Sequence, residues 1–266
     1  MQSPRTPAAD GSIRASGNGV TASPVAGRIR VGTAGWSIPR ASAHRCGNDG
    51  THLSRYASML SCVEINSSFY RSHACATYAR WASSTPNHFR FAVKLPRTIT
   101  HEQRLRRPRM LLQQFLDETA GLGVKRGPIL VQLPPSLDFE PAVVARFLEC
   151  LRERLPGPVV VEPRHQTWTG GPADALLRRY EVARVAADPP RAAGLELPGG
   201  WPALIYFRLH GSPRTYWSRY STPYIDALAR QLALASSSAD VWCIFDNTAA
   251  GAALENASEL SGRMEI

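Results

Sequence analysis

Long apolar runs are missing from this sequence. No stretch approaches the roughly 20 consecutive apolar residues that a membrane-spanning helix needs, which excludes a helical membrane protein and leaves no membrane partner. The opening segment, MQSPRTPAADGSIRASGNGVTASPVAGR, lacks the hydrophobic core of a secretory signal. Its Ser, Ala, Gly, Pro and Arg bury too little apolar surface to order a chain, so residues 1–27 read as a disordered tail. Cysteine is sparse: five residues, an odd number, with no Cys-x-x-Cys. Cys62 and Cys243 fall inside apolar, strand-like runs, where a free thiol acts as a small hydrophobe. That usage argues against a disulfide framework or a Cys-rich zinc site and fits a cytoplasmic location. No Gly-x-Gly-x-x-Gly follows the first strand, and there is no Gly-x-Ser-x-Gly elbow. A dinucleotide fold and a serine hydrolase are therefore disfavoured. There is no internal repeat and no sign of a second domain.

What is present suits one large domain over residues 28–266. Hydrophobic residues make up 44% of the chain, enough for a sizeable core. The formal net charge is +10, and the basic residues are mostly Arg. Such a balance suits anionic partners: phosphate esters, nucleotides or nucleic acid.

From Arg28 onward, strand-like and helix-like segments alternate. RIRVGTA, CVEIN, FRFAVKL, PILVQL, PVVVEP, VARVAAD, PALIYFRLHG and DVWCIFDN read as strands. Helical spacing marks HLSRYASML, ATYARWASS, PRMLLQQFLDETAGLG, PAVVARFLECLRERL, PADALLRRY, YIDALARQLALA and about twelve residues from Gly251. Alternation of this kind predicts a parallel sheet with both faces covered. About eight units in about 240 residues match a single (β/α)8 TIM-type barrel, an α/β fold typically of about 250 residues; an open doubly wound sheet is the alternative. Between Asp188 and Pro202 no helical spacing occurs, so one outer helix is replaced by a loop after strand six.

Function in parallel α/β folds gathers at the carboxyl ends of the strands. Here those ends carry Trp36, Glu64, Asn66, Lys94, Gln132, Glu162, Arg164, His165, Asp188, Arg208, His210, Asp246 and Asn247. The opposite ends are mostly Pro, Gly and apolar. Side chains alternate across a strand. Glu64 thus shares a face with Asn66, Glu162 with Arg164, and Arg208 with His210. Lys94, Arg164 and Arg208 are the cations available to the carboxylates. After the third strand, Arg97, Thr98 and His101 lie on a loop that could cover the mouth. Gly211 behind His210 permits a tight turn. Trp168 suits either a ligand plate or the core. Glu64, Glu162, His165, Asp188, His210 and Asp246 carry atoms that could bind a metal. Yet no His-x-x-x-His spacing occurs, and the interleaved cations would repel one, so no metal ligand is assigned. Glu64 and Glu162 as a glycosidase pair have no support beyond residue type.

At these residues the chain resembles the domain of unknown function 72 family, the YecE-like proteins. The resemblance spans about Arg30 to Met264 and rests on VGTAGWS, VEINSSFYR, FRFAVKLPRTITHE, GPILVQLPPS, VEPRHQTW, RLHG and FDNTAAGAALENA. It implies a TIM-type barrel and supplies no reaction. It points to Trp36, Glu64, Asn66, Tyr70, Lys94, Gln132, Glu162, Arg164, His165, Trp168, Arg208, His210 and Asn247. Three departures stand out. IPRASAHRCGNDG is short and polar where the family carries aromatics. Glu-Pro-Arg-His replaces Glu-Phe-Arg-His, and Asp246-Asn247 replaces Asn-Asn.

The expectation is an enzyme that binds a small anionic, phosphorylated or nucleotide-like ligand at the mouth. Lys94, Arg164 and Arg208 would hold charge, with Trp36, Asn66, Tyr70, Gln132, Trp168 and Asn247 as further ligand contacts. Glu64 or Glu162 would be the general base, and His165 or His210 the proton shuttle. The rivals are a metal-dependent hydrolase, isomerase or nuclease, and a non-catalytic binder of nucleic acid or a metabolite. The sequence names no cofactor and no oligomeric state.

Overall fold

The computed structural model describes Met1 and residues 27–47 and 49–264. The tail expected over residues 1–27 lies almost wholly outside the described residues. Ten strands form one mostly parallel, nearly closed, barrel-shaped sheet. In chain order they are β1 (Ile29–Ala34), β2 (Cys62–Ile65), β3 (Arg90–Lys94), β4 (Arg126–Gln132), β5 (Val159–Glu162), β6 (Val182–Arg184), β7 (Ala186–Asp188), β8 (Gly199–Gly200), β9 (Leu204–Leu209) and β10 (Asp240–Phe245). The spatial order is β7-β9-β10-β1-β2-β3-β4-β5-β6-β8, and only the β6–β8 pairing is antiparallel.

Among the described residues, seven α-helices cover the outside: α1 (His52–Ala57), α2 (Cys75–Ser83), α3 (Arg109–Thr119), α4 (Pro141–Arg152), α5 (Gly171–Arg179), α6 (Thr222–Ala235) and α7 (Ala252–Arg263). Pro lies in the first turn of α4, α5 and α6, where its missing N–H costs no helical bond. Helix α1 ends at Ala57, short of the Leu60 that apolar spacing suggested. The run VARVAAD divides at Val185: β6 pairs with β5, and β7 pairs with β9. No helix separates β7 from β9. The short strand β8 occupies that interval instead, so the expected helix-free loop is present.

Strand alternation sorts the core into two parts. One set of side chains packs outward under the helices, among them Val63, Val93, Ile129 and Val161. The other set faces inward: Cys62, Ala92, Leu130, Val160, Ala183, Tyr206, Trp242 and Ile244. Small residues at Cys62, Ala92 and Ala183 leave room for the stacked rings of Tyr206 and Trp242, whose centroids are 6.1 Å apart. Two residues further along the same strands, the inward positions turn polar. Cys62 gives way to Glu64, Ala92 to Lys94, Leu130 to Gln132, Val160 to Glu162, and Tyr206 to Arg208. An apolar layer thus floors a polar one at the carboxyl ends.

Candidate functional site

Arg208 organises the polar layer and is fully buried. Its Nη2 lies 2.6 Å from Glu64 Oε1, and its Nε donates to Glu64 Oε2 at 3.0 Å. Its Nη1 donates to Glu162 Oε2 at 2.8 Å, and Nη2 also reaches Asp246 Oδ2 at 3.1 Å. One guanidinium fork therefore serves three carboxylates, an arrangement that only Arg can provide. Tyr206 donates its phenol to Glu64 Oε2 at 2.8 Å, and Gln132 donates Nε2 to Glu162 Oε2 at 2.8 Å.

His210 stands between two acids. Its Nδ1 is 3.0 Å from Asp246 Oδ2, and its Nε2 is 3.0 Å from Glu162 Oε1. An ionised carboxylate only accepts hydrogen bonds, so both contacts are satisfied when the ring carries both protons. Burial opposes that charge, but Glu162 and the two hydrogen bonds outweigh it and raise the His210 pKa. Burial likewise favours neutral Glu162 and Asp246. Arg208, and His210 after it, hold both below the usual carboxylate range, Glu162 well below.

Above this network opens a cavity of about 510 Å³. Asn66, Tyr70, Lys94, Gln132 and Arg164 line it, together with Phe69, Arg97, His101, Tyr216, Asp246 and Thr248. Each comes from the carboxyl end of a strand or the loop after it. Glu64 and Glu162 are absent from the wall because Arg208 draws both carboxylates beneath it. Asp246 is the carboxylate that reaches the cavity. Lys94 Nζ lies 4.1 Å from the Phe69 ring centre and has no ion pair among the described residues. Burial first, and then the Arg208 charge, lowers its pKa to about 8. Arg164 reaches Glu162 only at 3.6 Å and Tyr216 OH at 3.5 Å, and its buried Nε has no partner. Asn66 Oδ1 is also buried without a partner. Burial, followed by the charges of Lys94 and Arg164, brings His101 down to about 4.

Three residues from the sequence-derived set sit elsewhere. Trp168 is fully buried, donates Nε1 to Leu137 O at 3.0 Å and packs on Phe139, so its ring fills the outer core. His165 caps a short turn: its Nδ1 accepts from Thr167 N at 3.3 Å and sits 2.9 Å from Thr167 Oγ1. Trp36 packs edge-on against Trp81 at 5.1 Å. None of the three lines the cavity. Asn247 lies behind the wall, where Nδ2 bonds Ser218 O and Asn256 Oδ1 and anchors the loop after β9. Gly211 opens that loop with φ 92°, and a Cβ there would meet Ser218 O at 2.8 Å. Asp188, a metal candidate by residue type, accepts from Tyr220 OH at 2.8 Å. Among the described residues no group of three or more His, Cys, Asp or Glu is arranged to hold a metal.

The profile of the family described as "Protein of unknown function DUF72" matches residues 30–266. The chain belongs to the DUF72 family. Among curated DUF72 relatives, the UPF0759 protein YecE of Escherichia coli K12 is 33% identical over 154 residues, 57% of this chain and 54% of that protein. The chain thus aligns with about half the length of that relative. The UPF0759 protein YunF of Bacillus subtilis is 23% identical over 90% of this chain and 95% of its own. A crystal structure of a DUF72 protein from Enterococcus faecalis superposes with a TM-score of 0.76 at 22% identity, covering 90% of this chain and 96% of that one. One from Thermotoga maritima gives 0.72 at 24% identity, with 90% and 99% covered. At that identity the likeness carries the fold alone. No helix among the described residues is long and apolar enough to cross a membrane.

Proposed function

We propose that this DUF72 protein is an enzyme whose mouth binds a small anion, phosphorylated or nucleotide-like. If Val182–Asp188 is counted as one strand and the two-residue β8 is set aside, eight strands remain in a TIM-type ring that lacks one outer helix. The mouth is then the usual location for a ligand in such rings. The observation that carries the reading is the separation of charge by depth. Arg208 binds the carboxylates of Glu64 and Glu162 below, so the wall holds Lys94, Arg164 and Arg97, the last paired with Glu102 at 3.1 Å, and Asp246 as its carboxylate. A phosphate or carboxylate group fits those cations, and Arg164 retains unused donors for it.

Asp246 would accept a hydrogen bond or proton from the remainder of the ligand. The doubly protonated His210 behind it would donate to that carboxylate and orient it, with Glu162 holding the other side of the ring. This reading moves the base role from Glu64 and Glu162, which are sealed under Arg208, to Asp246. His165 has no part in it.

Titration calorimetry with inorganic phosphate tests the proposal. Phosphate should bind the full chain, and Arg164→Ala should weaken it by about tenfold or more, the usual worth of a charged hydrogen bond. Phosphate binding that Arg164→Ala leaves unchanged would refute it.

A further inference from the structure

All but two of the 31 basic residues in this chain are Arg. The exceptions, Lys94 and Lys125, are both withdrawn from solvent. Lys125 has a structural reason to be an ammonium. Its Nζ donates to Ala82 O at 2.7 Å, Thr85 O at 2.7 Å and Thr85 Oγ1 at 3.3 Å, which uses all three of its protons. Lys94 has no such reason. Its side chain is withdrawn from solvent, its Nζ makes no hydrogen bond or ion pair to any described residue, and it rests on the Phe69 face inside the cavity. For anion binding alone, Arg brings more donors and a permanent charge. The property that Lys adds is a removable proton and, once it has gone, a nucleophilic lone pair.

We infer that Lys94 forms an imine with the carbonyl carbon of a small anionic aldehyde or ketone. The inference rests on the anion-binding reading above, with Arg164 and Arg97 holding the anionic end. The amine lone pair makes the C–N bond as the carbonyl π pair moves to oxygen. A proton passes from nitrogen to that oxygen and gives a carbinolamine. The hydroxyl then departs as water with the second nitrogen proton, and the C=N bond forms. Nothing is oxidised or reduced. Asp246 is the carboxylate on the wall that can relay these protons, and the unpaired Asn66 Oδ1 can accept from the carbinolamine hydroxyl. The lowered Lys94 pKa leaves a useful share of free amine near neutrality.

The test is borohydride trapping on the full chain with glyoxylate and with glyceraldehyde 3-phosphate, read by peptide mass mapping. Lys125 is the internal control. Labelling should clearly favour Lys94 over Lys125, whose three ammonium protons are held in hydrogen bonds. Lys94→Arg and Lys94→Met should both lose the adduct, with far-UV circular dichroism checking that each variant folds. If phosphate binds but Lys94 is unlabelled, or labelled no faster than Lys125, the imine is overturned and the anion reading stands. If neither phosphate binding nor an adduct is found, both fall. An adduct at Lys94 without phosphate binding keeps the amine chemistry and removes the anion reading.

Discussion

Arg208 shows how one side chain fixes a site. A charge removed from water must be repaid by close partners, and Arg208 has three carboxylates within 3.1 Å. Arg208→Met leaves them facing one another with no guanidinium between. The expected loss is about 3–5 kcal/mol in urea unfolding, the usual result of breaking a buried pair from one side; a loss under about 1 kcal/mol would contradict this account. His210 carries a pH signature. Its folded pKa lies above the unfolded value, so its contribution is complete below about 6.5 and fades as pH rises through the folded value. Glu162 and Asp246 behave oppositely, losing theirs as pH falls through their depressed values. Lys94, lowered to about 8, adds stability as pH climbs from there towards 10.5. Comparing wild type with His210→Gln removes the contributions of groups that do not touch this ring. The wild-type advantage should shrink as pH rises above about 6.5, and a flat difference would refute the doubly protonated ring. Much of this was legible in the sequence, because parity alone puts Glu64, Glu162 and Arg208 on inward faces. Which carboxylate reaches the cavity was not. That depends on where the guanidinium pulls each acid, a distance no spacing encodes. The Tyr206 phenol was equally hidden, inside a run that looks wholly apolar.

At the scale of elements, the strand ends were readable and the loops were not. Lys94 and Gln132 finish their strands, Asn66 and Asp246 lie one residue past theirs, and all four line the cavity as alternation requires. Trp36, His165 and Trp168 lie two to six residues past a strand end, where local packing and turn hydrogen bonds rather than strand parity aim the side chain. Trp168 and His165 belong to the turn after β5, and Trp36 follows the bend after β1. Trp168→Phe should therefore leave phosphate binding unchanged. It should cost about 1–3 kcal/mol in denaturant unfolding, since Leu137 O is left buried without a donor. Weakened phosphate binding at unchanged stability would restore Trp168 to the site. The break at Val185 was also invisible, because VARVAAD reads as one strand whether its halves pair with one neighbour or two.

The whole molecule carries +10, and two kinds of anion binding must be kept apart. Exposed charges are screened within about 10 Å at about 0.1 M salt, while partly buried ones are screened much less. Lys94 and Arg164 are of the second kind. Raising sodium chloride from about 50 to about 200 mM should weaken phosphate binding less than about tenfold, whereas contact between the basic surface and duplex DNA would collapse by orders of magnitude. Filter binding and calorimetry across that range would separate the cases. DNA affinity that survives the salt and disappears in Arg164→Ala would make the mouth a nucleic-acid site.

The stacked rings of Tyr206 and Trp242 have a consequence for traffic. They plug the barrel axis below Arg208, so the chamber is a cul-de-sac. Whatever departs must do so through the doorway by which its successor arrives. If the mouth is catalytic as proposed, turnover there would be sequential, and a slow-leaving product would act as its own inhibitor by standing in the entrance.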